Sequence, residues 1–531
     1  MTDRNPVLRE ATEEALEQLH VARGAHRRRK RQDTAFHLYV VALFSAMYLV
    51  PFIAIAYGAA GHPLEPYASY LRNALPFAGP AVALAWLRLA VGDALWRGPV
   101  LLDAATATWL LPTPVDRGRL LRPRFRRAVV LHSTVGTLAA AGAGYFLDLV
   151  MLGRPTAGIA FAAVAGAAFG AFTVAVAGLI VSRDAVAPAR RFAGPLTALA
   201  ATALFCAAVG GPGWARPLFL WTGPWGWLAQ CLAADSGRAV ALALLLASAT
   251  AALVRADREV ASTPVAVLRR RIRSASSVSA ALITVDFRQA RLAVRGSPAR
   301  RSRLPLPRRP WLVIPWRTAL GWLSRPALLG WAAGWLTVAY TAVTLARAAD
   351  GPGRIVGLLV ALAAGYAATA GLLEAARLDG DDVGRSRALP WPFPGIVLRH
   401  AILPLAVLLV SGAVACALAA ALGRPVLPSL LLCCCFPALA GAALISACRG
   451  SLPYELLIGA ETAMGNTAIP QVAVWYLRGP LAACLVLYPF LAFGLRATGP
   501  WAACALAFGL LLGTAALTTW AGVRAWSHIR A

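Results

Sequence analysis

The sequence predicts an all-α, polytopic helical membrane protein with about twelve transmembrane helices in two parallel six-helix halves. Hydrophobic residues make up 59% of the 531-residue chain and charged residues only 14%, whereas soluble domains carry about a quarter charged residues. Apolar runs of roughly 17–25 residues, the length that crosses a bilayer, recur along the chain. The cationic residues are concentrated in alternate loops between these runs, which is typical of an oriented membrane protein.

Twelve apolar runs account for the predicted spans, six on each side of a long basic segment. The spans of the first half lie near residues 35–58, 74–93, 128–152, 157–182, 192–211 and 238–255. The spans of the second half lie near residues 327–347, 353–375, 400–423, 425–448, 479–496 and 500–523. The Trp-rich stretch 217–232 is a candidate for a short re-entrant or interfacial helix.

The distribution of positive charge predicts the orientation and the division of the chain. Most of the 51 Lys and Arg residues lie on one side when the N-terminus is cytosolic, so we expect a multi-pass protein of the cell (plasma) membrane with both termini cytosolic. For residues 1–34 the sequence predicts a cytosolic amphipathic helix, with glutamates near its N-terminal end and arginines near its C-terminal end. Residues 35–255 form the first six-span half, 256–326 a basic cytosolic connector with an elbow helix, and 327–531 the second six-span half.

Neither the charge nor the cysteines indicate a nucleic-acid-binding or metal-binding protein. The net charge is +28, but the arginines are spread over loops and do not form a basic groove interleaved with aromatic residues. The nine cysteines contain no CxxC pair. Cys433, Cys434 and Cys435 are consecutive, and consecutive side chains point about 100° apart on a helix. We therefore predict no nucleic-acid partner, no metal site and no cofactor.

The chain lacks a recognisable catalytic constellation, so the sequence predicts a protein that is not an enzyme. Neither HExxH nor GxSxG occurs. The one lysine, Lys30, follows an arginine outside any glycine-rich loop, whereas a P-loop places lysine after glycine to reach the phosphates. Any ATP-driven activity would therefore need a separate ATPase subunit.

A leucine-proline-x-proline element stands at the same topological position in both halves. The first copy lies in WLLPTPVDRGRLLRPR (109–124) and the second in RALPWPFPGIVLRH (387–400). The matching prolines indicate an internal repeat, parallel because an even number of spans separates the copies. Because proline stops a helix and restricts the residue before it, each copy predicts a sharp cytosolic elbow. In the first copy a short basic helix at the membrane surface is expected to follow.

The first elbow resembles the cytosolic element after the second span of type-2 ABC exporter permeases. In that family a Leu-x-Pro-(Val/Ile)-(Ser/Asp)-Arg-x-x-Leu string forms the coupling helix that contacts the ATPase. The matching residues here are PVDR (114–117) and LL (120–121). The segment from WR (316–317) to RP (325–326) is similar to the amphipathic elbow helix before the first span of such permeases.

The resemblance implies the permease subunit of an exporter, with two fused halves, a separate cytosolic ATPase subunit and alternating access between the halves. The ATPase would dock at the two elbows. The residues expected to take part in docking are Pro112, Pro114, Asp116, Arg117 and Arg119 in the first elbow and Pro390, Pro392 and Arg399 in the second. The second copy departs from the family's pattern, since Phe393, Pro394 and Gly395 replace the Val-Asp-Arg portion.

Two other interpretations stay open at this point. A major-facilitator-like secondary carrier also has six plus six spans, and DRGR (116–119) resembles that family's Asp-Arg-x-Gly-Arg signature. The Pro-Thr-Pro directly upstream and the scarcity of ionisable residues deep in the predicted spans argue against it. A membrane protein without transport activity is the second interpretation, and the sequence holds nothing against it.

Overall fold

In the computed structural model, the protein is described over most of the chain after residue 64. The described residues are 65–100, 102, 106, 108, 113, 116–151, 157–233, 236–283, 305–348, 351–386, 389–450, 452–459, 461–462, 465–497 and 499–530. The predicted N-terminal helix (1–34) and the first predicted span (35–58) therefore lie outside the described residues.

The described residues are almost entirely α-helical, which confirms the predicted all-α fold class. In the apolar interior of a bilayer every backbone polar group needs a partner within the protein, and a helix supplies those partners from its own chain. The described residues also include two short strands, because β1 (Glu461–Thr462) pairs antiparallel with β2 (Gly465–Asn466).

The chain divides into two compact units. Unit 1 contains the described residues of Met1–Arg190 and Gly210–Arg295, and unit 2 contains those of Arg191–Val209 and Gly296–Ala531. The connector predicted at 256–326 is thus shared between the two units.

Unit 1 is built around one central apolar helix. Its helices are α1 (Glu65–Trp96), α2 (Arg117–Met151), α3 (Ala157–Ser182), the first residues of α4 (Val186–Val209), α5 (Ala215–Trp221), α6 (Pro224–Ala233), α7 (Arg238–Val260) and α8 (Val265–Ile283). Helix α3 packs against α1, α2, α6 and α7. Its sequence is apolar on every side, as expected of a helix surrounded by other helices. The Trp-rich stretch forms the two short helices α5 and α6.

Unit 2 has the same kind of centre. Its helices after α4 are α9 (Val313–Ser324), α10 (Ala327–Ala348), α11 (Gly351–Leu372), α12 (Glu374–Asp381), α13 (Phe393–Arg399), α14 (Ile402–Ala421), α15 (Leu427–Ala447), α16 (Tyr454–Ile458), α17 (Ala468–Gly494) and α18 (Pro500–Arg530). Single 3-10 turns cover Pro310–Leu312 and Val383–Ser386. Helix α15 packs against α10, α11, α14, α17 and α18, and it is buried without interruption from Ala438 to Ala447.

Helix α4 joins unit 2 although its sequence position places it in the first predicted half. Its residue Gly194 faces Gly330 of α10, and Thr197 faces Gly334 one turn further on. Small residues at these positions let the two backbones approach closely, which is how helices associate in membranes.

Ten described helices are long and apolar enough to cross a bilayer, and they make this a multi-pass membrane protein. They coincide with ten of the twelve predicted spans. Of the other two, 35–58 lies outside the described residues, and 192–211 corresponds to a shorter apolar helix, Arg191–Ala207. The count of twelve therefore stays a prediction.

Candidate functional site

The first elbow leads directly into α2. Asp116 precedes the first helical residue, and its Oδ1 accepts a hydrogen bond from the backbone N–H of Gly118 at 2.8 Å. A side-chain oxygen that binds the second helical N–H is an N-cap, so Asp116 starts the helix. Pro112 and Pro114, which were also predicted to dock the ATPase, lie outside the described residues.

The basic residues of the first elbow form the first turns of a spanning helix. Helix α2 runs unbroken from Arg117 to Met151, so the predicted short, separate surface helix is wrong. Leu120, Leu121 and Phe125 explain the continuity, because they form one stripe along the helix and are all buried in a single apolar cluster. Their burial carries the helix past Pro123, where one backbone hydrogen bond is missing.

Exposed ion pairs join the ends of helices beside the first elbow. Arg126 of α2 contacts Asp257 of α7 at 3.2 Å, and Arg183 contacts Glu259 of α7. Exposed pairs contribute only about 0–1 kcal/mol each, but they occupy the nearby carboxylates. Arg117 is exposed and makes no hydrogen bond or ion pair in the described part of the chain. Arg119, two residues on, is half-buried.

A buried arginine holds the connector helix α8 in unit 1. Arg271 is 4% exposed, and its Nη1 donates a hydrogen bond to the carbonyl of Ala94 near the end of α1. Burial lowers the pKa of Arg271 to about 10, which leaves it protonated at neutral pH. This contact joins α8 to α1 within unit 1.

The second elbow has a different local structure from the first. Helix α11 ends at Leu372, and α12 and a 3-10 turn separate it from Pro390. The prediction that Pro390 stops the preceding span is therefore wrong. Pro390 and Pro392 are exposed, and Pro392 is the extended residue from which α13 starts.

Helix α13 turns an apolar face into unit 2. Phe393, Ile396 and Val397 are buried, and the helix packs against α18. Arg399 is half-buried, with its guanidinium 4.4 Å from the centre of the Trp391 ring. This cation–π contact braces the turn of the second elbow against its own helix, whereas Arg117 of the first elbow faces outward.

A buried polar network, which the sequence analysis did not find, holds the second elbow. Asp379 lies at its centre. Its Oδ1 accepts a hydrogen bond from Nη2 of Arg317 at 3.0 Å, and its Oδ2 accepts one from Oγ of Ser386 at 2.9 Å. Nε2 of His400 lies 3.1 Å from the same Oδ2. Thr318 completes the network, because its Oγ1 lies 2.9 Å from Nδ1 of His400.

We call these five residues the elbow clamp: Arg317, Thr318, Asp379, Ser386 and His400. The first two lie on α9, the third on α12, the fourth in the following 3-10 turn and the fifth between α13 and α14. A neutral His400 donates a hydrogen bond from Nε2 to Asp379 and accepts one at Nδ1 from the hydroxyl of Thr318. With His400 protonated, both nitrogens donate, and Thr318 turns its hydroxyl to the carbonyl of Ile314 at 3.2 Å. The network is satisfied in either state.

The centre of the clamp is shielded from solvent. The side chains of Asp379 and His400 are 3% and 1% exposed, and that of Arg317 is 24% exposed. Burial by itself raises the pKa of Asp379, but the hydrogen bond from His400 and the charge of Arg317 outweigh it, so the pKa lies below its ordinary value. Asp379 is therefore a carboxylate at neutral pH.

A weak signal for the clamp was present in the sequence. Arg317 stood in the segment likened to an elbow helix, and His400 stood at the end of a predicted span, where an interfacial histidine is the ordinary interpretation. Nothing in the spacing linked these two residues to Asp379.

The comparisons with known proteins assign a family. A family model described as "Family of unknown function (DUF6297)" matches residues 68–451. The chain belongs to the DUF6297 family. No curated protein and no solved structure matches the chain.

The region that matches DUF6297 contains both elbows and the whole elbow clamp. Within the described residues of this DUF6297 chain, no three His, Cys, Asp or Glu side chains lie close enough to hold a metal ion. The arrangement instead provides an exposed basic surface and a rigid joint between helices. An exposed cationic elbow begins a long helix in unit 1, and a buried ionic network braces the elbow of unit 2.

Proposed function

We propose that this protein is the transmembrane (permease) subunit of an ABC-type exporter, powered by a separate cytosolic ATPase subunit. The protein would lie in the plasma membrane, with both termini in the cytosol. The elbow clamp is the observation that carries the proposal.

The clamp supports the proposal because a docking element moves a span only if the two are joined rigidly. Its hydrogen bonds connect α9, α12 and the start of α14 around the second elbow. Trp322 of α9 adds a hydrogen bond from Nε1 to the carbonyl of Leu372, the last residue of α11, at 3.1 Å. Fully satisfied buried networks of this kind are stiff. A displacement of the second elbow would therefore move the end of α11 and the start of α14.

The first elbow supplies a surface for the ATPase. Arg117 is exposed beside the N-terminus of α2, where the helix dipole adds partial positive charge. A partner that docks here would present acidic side chains, because complementary charge steers association and sets orientation. Leu120 and Leu121, buried behind the exposed cation, would pass the contact on to the core of unit 1.

In the predicted orientation, the first elbow would face the cytosol. Arg122, Arg126, Arg183 and Arg255 gather at one end of unit 1, since all four contact Asp257 or Glu259 of α7. Such an accumulation of arginines favours the cytosolic face.

Co-purification from the native host tests the proposal. The tagged full chain would be extracted in mild detergent, and a stoichiometric P-loop ATPase is the expected companion. The double variant R117E/R119E is expected to lose the ATPase while its gel-filtration profile and melting temperature stay unchanged. The matched control is R308E/R309E, which makes the same change of charge at two adjacent exposed arginines of the connector, and it is expected to retain the ATPase.

Retention of the ATPase by R117E/R119E at the wild-type level would refute docking at the first elbow. A wild-type chain that elutes alone and monodisperse would refute the exporter proposal itself. The secondary-carrier hypothesis would then take its place, and proton-coupled flux in liposomes would be its test.

A further inference from the structure

Three arginines meet at one end of unit 2. Arg449 follows the last turn of α15, Arg478 lies on α17 and Arg524 lies on α18. We call these three residues the arginine cluster. They come together because α17 packs closely on α15. A Cβ at Gly479 would collide with Oγ of Ser446, so only glycine permits this approach.

Arg449 is held in place by aromatic rings. Its guanidinium lies 4.6 Å from the ring centre of Trp475 and 4.4 Å from that of Tyr476. Its Nη1 also donates a hydrogen bond to the carbonyl of Tyr476 at 2.8 Å. Burial and the neighbouring charges of Arg377 and Arg478 lower the pKa of Arg449 to about 10. The group therefore stays protonated at neutral pH, positioned and partly buried.

Within the part of the chain that the structure describes, no acidic side chain pairs with the arginine cluster. Among the described residues, none of its three members forms an ion pair. Arg478 and Arg524 lie close enough to repel one another. The nearby Arg377 has a carboxylate of its own, Glu374, at 3.6 Å. Several guanidinium groups without a carboxylate form a site for an external anion, and the planar fork of arginine fits phosphate oxygens in pairs.

The exposed apolar residues around the cluster favour a phospholipid over soluble phosphate as the source of the anion. Val474 and Leu477 of α17 are exposed, as are Val523 and Trp526 of α18. Val523 is 62% exposed directly beside Arg524. A soluble phosphate gains nothing from an apolar rim, whereas a phospholipid places acyl chains against it. Basic sites between the ends of transmembrane helices are suited to anionic headgroups, and tryptophan favours the same depth of the membrane.

We propose that the arginine cluster binds the phosphate group of an anionic phospholipid at this end of unit 2. The site does not depend on an ATPase. Failure of the exporter proposal would therefore leave this proposal unaffected, and the reverse also holds.

Lipid titration of the full chain tests the site. Delipidated protein in detergent would receive phosphatidylglycerol, phosphatidylcholine with the same acyl chains, or inorganic phosphate. Binding would be followed by native mass spectrometry and by the melting temperature. Phosphatidylglycerol is expected to bind more tightly and to raise the melting temperature more than either alternative. In R478Q/R524Q its affinity is expected to fall at least about tenfold, because two charge-assisted contacts are lost.

The matched control is R347Q/R496Q, which removes the same charge from two exposed arginines of unit 2. Arg496 lies beyond the C-terminal end of α17, well away along the chain from Arg478, so this variant is expected to bind phosphatidylglycerol like the wild type. If R478Q/R524Q does not fold, R524Q alone is expected to weaken binding about threefold. Unchanged affinity in the cluster variants, or a wild type without preference for phosphatidylglycerol over phosphatidylcholine, would overturn the proposal. An equal effect of inorganic phosphate would overturn the lipid assignment.

Discussion

At the scale of single residues, Asp379 organises the elbow clamp because its two oxygens serve three partners. Arg317 reaches it from α9, Ser386 from the following turn and His400 from the far side of α13. Burying a carboxylate costs free energy, and the contacts of these partners offset that cost. The loss of the charge would leave the partly buried guanidinium of Arg317 without a counter-ion.

The variant D379N is therefore expected to lower the free energy of unfolding by about 3 kcal/mol, the range measured when one partner of a buried pair is removed. The melting temperature in detergent measures this loss. D382N is the matched control, because Asp382 is exposed three residues further on and its loss is expected to be neutral. The double variant R317Q/D379N is expected to recover part of the stability. A melting temperature of D379N equal to that of D382N would contradict the role of the clamp.

The low pKa of Asp379 also predicts how the clamp responds to acid. Because the folded-state pKa lies below the ordinary 3.8, this stabilisation is complete above the ordinary value and is lost as pH falls through the folded-state pKa. The difference in melting temperature between wild type and D379N is thus expected to be constant near neutral pH and to shrink below about pH 4. A difference that begins to shrink near pH 6 would show that Asp379 is not the group responsible.

At the scale of helices, close approach through glycine determines how the spans pack. Gly136 of α2 and Gly166 of α3 face each other so closely that a Cβ on either would overlap the other's carbonyl oxygen. Such contacts replace the hydrophobic driving force, which is weak between helices already surrounded by lipid.

The variant G166A is expected to destabilise unit 1 by about 1–3 kcal/mol, the usual cost of overpacking. Gly158 provides a control in the same helix, because a Cβ there meets nothing within 4 Å. G158A is therefore expected to be neutral or slightly stabilising, since alanine favours helix more than glycine does. Melting temperatures of the two variants measured side by side would decide the point. Equal values would mean that α2 and α3 separate at no cost.

At the scale of the whole molecule, the two elbows differ although their sequences suggest duplication. The first is capped by Asp116 and continues into an unbroken spanning helix with an exposed arginine. The second ends in the seven-residue helix α13, whose apolar face is buried. The Phe-Pro-Gly that departs from the permease pattern begins this buried helix. Under the exporter proposal, the first elbow would carry most of the docking, and the second elbow would mainly brace the adjoining spans.

The sequence by itself determined the fold class and the position of most spans, because both depend on local properties. A run such as 425–448 is long and apolar enough to cross a bilayer whatever lies beside it, and α15 occupies nearly that range. The basic stretch at 117–124 was recognised as well. Its continuation into α2 was not, because it depends on the burial of Leu120, Leu121 and Phe125 against other helices.

Only the tertiary structure decided which polar residues act together. Arg317 and Asp379 are 62 positions apart, and Asp379 and His400 are 21 apart, so no helical period relates them. The arginine cluster likewise joins residues of three separate segments: Arg449 after α15, Arg478 within α17 and Arg524 near the end of α18. The assignment of α4 to unit 2 is of the same kind, since it follows from the fit of Gly194 and Thr197 against α10. Which distant segments contact one another depends on side-chain packing and shape. A hydropathy pattern specifies neither, so it could not predict these contacts.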